Sequence, residues 1–569
     1  LKYATYSAET AALATYWKGE AAFREGGFTL AQKLFSEFVL SAGVSHTDEY
    51  RVAHYSLAYS LFQQEKYAEA QSWFRKYAAF SADKPSAMLC DAYNRIGDCN
   101  FMQSAYGEAI LAYATVIKIG LSDADYAAFQ SGLCYGLEGS QDKKIELMNA
   151  VINARPASPY ADNALYEKGR CYVQMQEYEQ AVNVYAELLS KFQQSTFYAK
   201  TLIELGLICV NKADNKQALD YYKRVVKDFS GTAEARSALL GIKNIYIEME
   251  DVDGYAKYVA GIKNVGQVNA SERDSMTFAI AENQYMANDC EKATPSLKKY
   301  LQEFSVGAFV VDANFYMADC YYRAGKLEEA VLHFDYVLNS PKSSYTEPSL
   351  LGAARASFEL GENEKAAIFY ERLAQAASTK ATVVEALVGK MRADFLAKND
   401  TAVLTDVAIV LNIDNLSPEL STEAHFKRAK AQEHLGDTAK AHEDYMLVSK
   451  NAKTKEGAEA QYKIIEYLFS KNDLDKAEAA VLEFSKSGTP HQYWLAKSFI
   501  TLGDVYVKRN DAFQAKATYE SIADGYSESN DGIVAEVTAK IQQLTASESA
   551  KEASAEQQSN EQITITGTR

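Results

Sequence analysis

Apolar and small residues recur along this chain at spacings of three and four, the period of one helix face, and short polar turns interrupt them at regular distances. Within that pattern a four-point signature repeats: a small residue, an aromatic or turn residue nine later, an alanine twelve later and an aromatic sixteen later. The cleanest copies are Gly169, Tyr178, Ala181, Tyr185; Gly19, Phe28, Ala31, Phe35; Ala58, Tyr67, Ala70, Phe74; and Gly97, Tyr106, Ala109, Tyr113. The spacing predicts two antiparallel helices, A and B, joined by a tight turn. Gly169 on helix A is expected to face Ala181 on helix B, since a large residue at a close crossing costs roughly 1–3 kcal/mol. The aromatic one turn after the alanine is expected to fill the space toward the next hairpin.

The small position falls at Gly19, Ala58, Gly97, Gly132, Gly169, Gly206, Ala281, Ala318, Ala354, Met391, Ala429, Ile465 and Gly503, with a degenerate copy centred near Lys243, at intervals of 35 to 39 residues. This series resembles the tetratricopeptide repeat family, whose period is near 34 residues. The resemblance covers about residues 8 to 540 and implies an all-α, right-handed superhelical solenoid of about 14 hairpins. The extra residues fall between helix B and the next helix A, as in Lys191–Ala199 and Lys227–Ala235, where an aromatic closes one helix and Ser or Thr is expected to cap the next. This longer variant, best matched at Pro156–Gly169, looks like the repeat domains of the bacterial envelope, among them the periplasmic Tol-Pal coordinator and the lipoprotein of the β-barrel assembly machinery.

The phase predicts a domain plan. Residues 1–230 carry about six repeats, and 231–270 form an irregular unit that is either a diverged repeat or a hinge, with Lys243 at the small position and Tyr255 in place of the alanine. Residues 271–530 carry about seven more repeats. A capping helix over 531–545 is expected to hide the last apolar face, and 546–569, rich in Ser, Ala, Glu and Gln, reads as disordered.

Composition narrows the function classes. A net charge of −17 argues against a nucleic-acid partner, whose phosphates need a basic field. The chain has no apolar run of membrane-spanning length and no signal peptide, and it begins at Leu1, so processing from a longer protein is expected. The seven cysteines show no C-x-x-C pair; Cys99, Cys134, Cys171 and Cys320 lie two residues after the small position, which points to packing and not to a disulfide framework or a zinc site. No phosphate loop, H-E-x-x-H or G-x-S-x-G motif is present, and His425, His434 and His442 are too far apart in sequence to share one helical face. No enzyme activity, cofactor or metal is therefore expected.

The remaining candidate is a binding groove, which in the repeat family is lined by helix A residues three before and one after the small position. Three before stand Tyr16, Tyr55, Phe129, Tyr166, Phe278, Phe315, Phe426 and Tyr462, so an aromatic floor is expected, shared with core packing. The family's carboxylate clamp needs Lys and Asn at these positions; only Asn94 fits, which disfavours a chaperone-tail ligand. One after the small position come Arg170 and then Arg355, Arg392 and Lys430 in successive repeats, a basic ladder able to steer an acidic or extended peptide. Three triplets, Asp274-Ser-Met, Asp400-Thr-Ala and Asp437-Thr-Ala, resemble an O-glycosylation pattern of envelope proteins in some Bacteroidetes, although Asp274-Ser275 also reads as a helix N-cap. The resulting expectation is a non-enzymatic protein-binding scaffold of the periplasm or outer membrane, with a cytoplasmic adaptor in signalling or chaperone-type assembly as the alternative.

Overall fold

In a computed structural model the described residues are 7–154, 156–263, 265–527 and 530–566, with side chains described as far as residue 555. They form helices joined by turns and short loops, and they divide into two compact units, Leu1–Val268 and Asn269–Arg569. Within each unit the helices run as consecutive hairpins, from Ala8–Arg24 with Phe28–Val39 to Gln492–Lys508 with Ala512–Gly525. The irregular stretch is itself a hairpin, Ala233–Glu248 with the short Val252–Ala260, and it closes the first unit.

The signature positions meet inside each hairpin, though not as the spacing alone suggests. The aromatic sixteen residues after the small position does not only reach toward the next hairpin; its ring lies across the small residue of its own. A Cβ placed on Gly19 would stand 2.8 Å from Phe35 Cε1, and at Gly97, Gly169, Gly206 and Gly503 it would run into the rings of Tyr113, Tyr185, Tyr222 and Tyr519. The alanine at twelve is buried beneath the same crossing: Ala31, Ala70, Ala109 and Ala181 are all fully enclosed. The other edge of the ring meets the following hairpin. Tyr222 presents Cε2 to Gly241, 2.8 Å from a Cβ built there, and Phe334 and Tyr370 crowd Gly352 and Gly389 in the same way. One ring therefore joins two hairpins through two places where side chains are missing.

A further regularity fixes the turn. Seven residues after each small position, in all fourteen hairpins, the backbone is left-handed, with φ between 57° and 84°. Five of these residues are glycine, beginning with Gly26, and Asn288, Asn472 and Asn510 are the type that tolerates this region best after it. Glu65, Ser104, Gln176, Ala213, Glu250 and Lys398 adopt it against their own preference. Glu250 occupies this position seven after Lys243, which places the degenerate unit in phase with the rest.

The loops to the next repeat are tied down by acids seven residues before the small position. Ser158 Oγ donates to Asp125 Oδ2 at 2.5 Å, Ser195 Oγ to Asp162 Oδ2 at 2.7 Å, and the Ala308 N–H to Asp274 Oδ2 at 2.7 Å. Thr232 caps its helix as expected, accepting from the Ala235 N–H at 3.1 Å, whereas Ser195 accepts from Phe197 N–H, two residues on, in a turn. Asp274 is buried inside the helix Ala270–Met286, whose N-cap is Asn269, so the N-cap reading of Asp274-Ser275 is corrected.

The last helix departs from the expected plan. It begins at Ile533, as a cap on the final hairpin through Ile533 and Val537, and continues to Thr566. Ala, Glu, Gln and Lys are strong helix formers, and their helix propensity extends the element through residues whose low hydrophobicity predicts disorder. Residues 567–569 lie outside the described residues.

Two stability outcomes follow. Ala213→Gly relieves a left-handed alanine at an exposed turn and is expected to raise unfolding stability by about 1 kcal/mol. Gly169→Ala drives a methyl into Tyr185 and is expected to cost about 1–3 kcal/mol; denaturant melts of both variants check the pair.

Candidate binding surface

Helix A faces were the candidate groove, and the structure separates the predicted residues into three kinds. The aromatics three before the small position are largely interior. Tyr16, Phe129, Phe278 and Tyr462 are buried, while Tyr55, Tyr166, Phe315 and Phe426 are half-buried. Most of these rings are engaged by an aromatic nine before the next small position, a partner not anticipated from sequence. Phe278 stacks on Phe309 with centroids 4.6 Å apart and planes within 3°, and Phe315 packs on Tyr345 at 4.6 Å. Tyr166 meets Phe197 at 4.8 Å, Phe129 meets Tyr160 at 5.9 Å, and Tyr462 meets Trp494 at 5.5 Å. The expected aromatic floor is instead a set of repeat-to-repeat stacks, each worth about 0.5–1.5 kcal/mol beyond area burial. A recurrent aromatic 30 to 32 residues downstream was the available signal.

Asn94 does not line a groove. It is fully buried, its Nδ2 donates to the Asp123 carbonyl at 3.4 Å, and its Oδ1 has no hydrogen-bond partner among the described residues.

The basic ladder is internally balanced. Arg355 Nε lies 2.8 Å from Glu385 Oε1, Arg392 Nη2 lies 2.7 Å from Glu423 Oε2, and Lys430 Nζ lies 2.8 Å from Glu459 Oε1. Each carboxylate stands six residues before the next small position, so one register rule joins consecutive repeats. The rule survives a change of polarity: Asp98 accepts from Tyr126 OH at 2.9 Å in the first unit. Hydrogen bonding to Arg392 holds the Glu423 carboxyl below its usual range, against the opposing effect of burial. Each of the three cations is already paired with an acid of the next repeat, Glu423 being shared with Lys427 at 3.5 Å, which corrects the reading of a basic ladder open to a peptide. Arg170 alone lacks an acid in that register.

Two hairpins add cross-helix charge pairs. Arg428 grips Asp444 with two bonds of 2.7 Å, and His425 Nδ1 lies 2.8 Å from the same carboxylate. One repeat earlier, Asp394 and Asp406 share one ammonium: Lys390 Nζ lies 2.9 Å from Asp394 Oδ2 and 2.8 Å from Asp406 Oδ1. Asp406 Oδ2 is buried without a hydrogen-bond partner among the described residues. Burial pushes the Asp406 carboxyl up to about 6, with Asp394 adding to the rise and Lys390 opposing it.

The other histidines are dispersed: His434 Nδ1 approaches Asp400 Oδ1 at 3.2 Å, and His442 stacks on Tyr467 at 4.2 Å. No cluster of three metal-ligating side chains occurs among the described residues.

The cysteines bring a correction. Cys90, Cys99, Cys134, Cys171 and Cys209 are buried free thiols, but Cys290 and Cys320 form a disulfide. The cause lies in the repeat register. Position nine of one hairpin faces position two of the next, as Tyr106 and Cys134 share one apolar cluster. Where position nine is Cys290 instead of an aromatic, the two sulfurs meet. No C-x-x-C spacing reveals such a pair, because its partners are 30 residues apart.

A tetratricopeptide repeat model matches residues 16–85 and 278–344, and a second one matches residues 163–195. These stretches carry tetratricopeptide repeats. No curated protein matches the chain by sequence. Among solved structures, one of the C-terminal part of a TPR repeat-containing protein from Cytophaga hutchinsonii is 16% identical, with 52% of this chain and 98% of that one covered at a TM-score of 0.32. A tetratricopeptide repeat protein from Parabacteroides merdae is 17% identical over 49% of this chain and 100% of that one, at 0.25. A structure of Naa15/Naa10 bound to HypK-THB is 12% identical, with 94% and 97% covered, at 0.27. TM-scores of this size carry no information on function.

The carboxylate pair gives a pH test. Because the folded pKa of Asp406 lies above the unfolded value of about 3.9, its stabilising contribution is complete below that value and is lost as pH rises through about 6. Asp406→Asn, which keeps the shape without the charge, is expected to gain stability relative to the parent chain as pH goes from about 4 to about 7; parallel thermal melts across that range check the difference.

Proposed function

We propose that this repeat protein is a non-enzymatic scaffold of the bacterial cell envelope that presents helix A faces to protein partners. Tetratricopeptide repeats imply protein–protein interaction and are generally non-catalytic, and every hairpin described above places its signature residues in packing. Among the described residues no helix is long and apolar enough to cross a membrane. The observation that carries the compartment is the Cys290–Cys320 bridge, since structural disulfides form and persist in oxidising compartments. The long connections between hairpins support the same reading through their resemblance to envelope repeats. Partner segments lie along the helix A faces as extended or helical peptides.

In-cell thiol trapping tests the compartment. In the source cell, Cys290 and Cys320 are expected to resist maleimide until a reductant is added. A pair found reduced in freshly trapped cells would overturn the envelope reading and favour the cytoplasmic adaptor. Cys290→Ser in the purified protein is expected to lower the stability of the second unit by about 2–4 kcal/mol, read in non-reducing denaturant melts.

A further inference from the structure

Contacts between repeats cover much of the helix A faces, and in the first unit one charged step and a neighbouring apolar step are left uncovered. The register rule, in which the residue after one small position meets the residue six before the next, pairs acid with base at Arg355–Glu385, Arg392–Glu423 and Lys430–Glu459. In the fifth and sixth hairpins the same register brings Arg170 toward Lys200, two cations. Arg170 pairs with Glu167 of its own helix at 3.0 Å, a carboxylate that also holds the buried Lys144 at 2.7 Å, and Glu204 of the next repeat adds attraction to Arg170 without an ion pair. Glu204 accepts from Tyr166 OH at 3.3 Å, and burial raises its carboxyl above the usual range. Lys200 is exposed and makes no ion pair among the described residues.

Three before the small position, eight hairpins carry a ring and five carry Asn94, Ile203, Leu351, Val388 or Ile500, all buried or half-buried; the seventh carries Leu240, which is 59% exposed. On the preceding helix Leu207 is 47% exposed, seven residues and two turns from Lys200 and so on the same face. In register, Leu207 meets Ser237, which offers it no cover. A chain of net charge −17 thus leaves two neighbouring cations beside two uncovered leucines on consecutive helix A faces.

We propose that this surface, from Arg170 to Leu240, is the docking site for an extended protein segment in which Asp or Glu stands next to large apolar residues. The ligand carboxylate completes the missing step of the charge ladder between Arg170 and Lys200, a charge-assisted contact to the Arg fork and the ammonium. Its apolar side chains cover Leu207 and Leu240, as a ring does elsewhere. The inference rests on the scaffold reading and specifies where one partner binds and what chemistry it brings.

The test uses the full chain and fluorescein-labelled extended peptides carrying Glu beside paired leucines. Controls replace Glu with Lys or Leu with Ser. Fluorescence anisotropy is expected to give a Kd of about 1–100 µM for the acidic-apolar peptide alone. The double variant Arg170→Glu with Lys200→Glu is expected to weaken it by about tenfold or more, and Leu207→Ser with Leu240→Ser by a similar factor. Lys212→Glu with Lys216→Glu makes the same charge change at an exposed turn of this unit and is expected to leave binding unchanged. Circular dichroism establishes that each variant is folded. Independently, a benzophenone on the peptide is expected to crosslink to the unaltered protein at the helices Tyr198–Asn211 and Ala233–Glu248.

Equal weakening by the turn variant, equal binding of the lysine peptide, or no binding at about 1 mM overturns the site. Crosslinks confined to another helix A face overturn it too, while leaving the scaffold reading intact. That reading fails separately, if crosslinking in the source cell captures no protein on any helix A face.

Discussion

One contact carries the architecture: an aromatic ring on helix B laid across a position on helix A that lacks a side chain. Interiors are packed as densely as organic crystals, so the crossing accepts a ring only if the opposite helix gives up its Cβ or keeps it to one carbon. Tyr222 shows the full form of the constraint, with Gly206 of its own hairpin on one edge and Gly241 of the next on the other. The ring fixes the angle within a hairpin and the distance to its successor in one interaction. Everything else in the repeat, including the left-handed turn and the buried alanine, follows from bringing those two helices that close.

The same repetition explains why so much of the apparent binding surface is occupied. A solenoid places equivalent residues of successive hairpins side by side, so any favourable pair, once available, recurs along the chain. Here the recurrent pairs are ring on ring and acid on base. Both run between neighbouring repeats, and both consume side chains that a single hairpin would offer to a ligand. Exposed ion pairs contribute only about 0–1 kcal/mol each, but they decide what remains for a partner. The surface between Arg170 and Leu240 differs because Lys200 makes no ion pair among the described residues and Leu207 and Leu240 stay exposed beside it.

Charge along one helix face is not legible from one position per repeat for the same reason. Arg355, Arg392 and Lys430 look like a basic stripe when one position per repeat is tracked, and they become neutral when the next repeat's Glu385, Glu423 and Glu459 are brought alongside. The disulfide was hidden in a similar way, as two residues in different repeats that meet only through the register. Both errors come from treating a hairpin as the unit of chemistry, when in this fold the unit is the contact between hairpins.

The sequence by itself determined the helical repeat, its phase and its length, because the small, alanine and aromatic positions are local demands of close helix crossing and each leaves its mark at a set spacing. It also located the in-phase but degenerate copy at Lys243. Only the tertiary structure decided which aromatics are glue between repeats, which cations are already answered and which cysteines meet. Those outcomes depend on pairs about 30 residues apart, whose proximity is set by the angle between hairpins and not by any pattern within one of them.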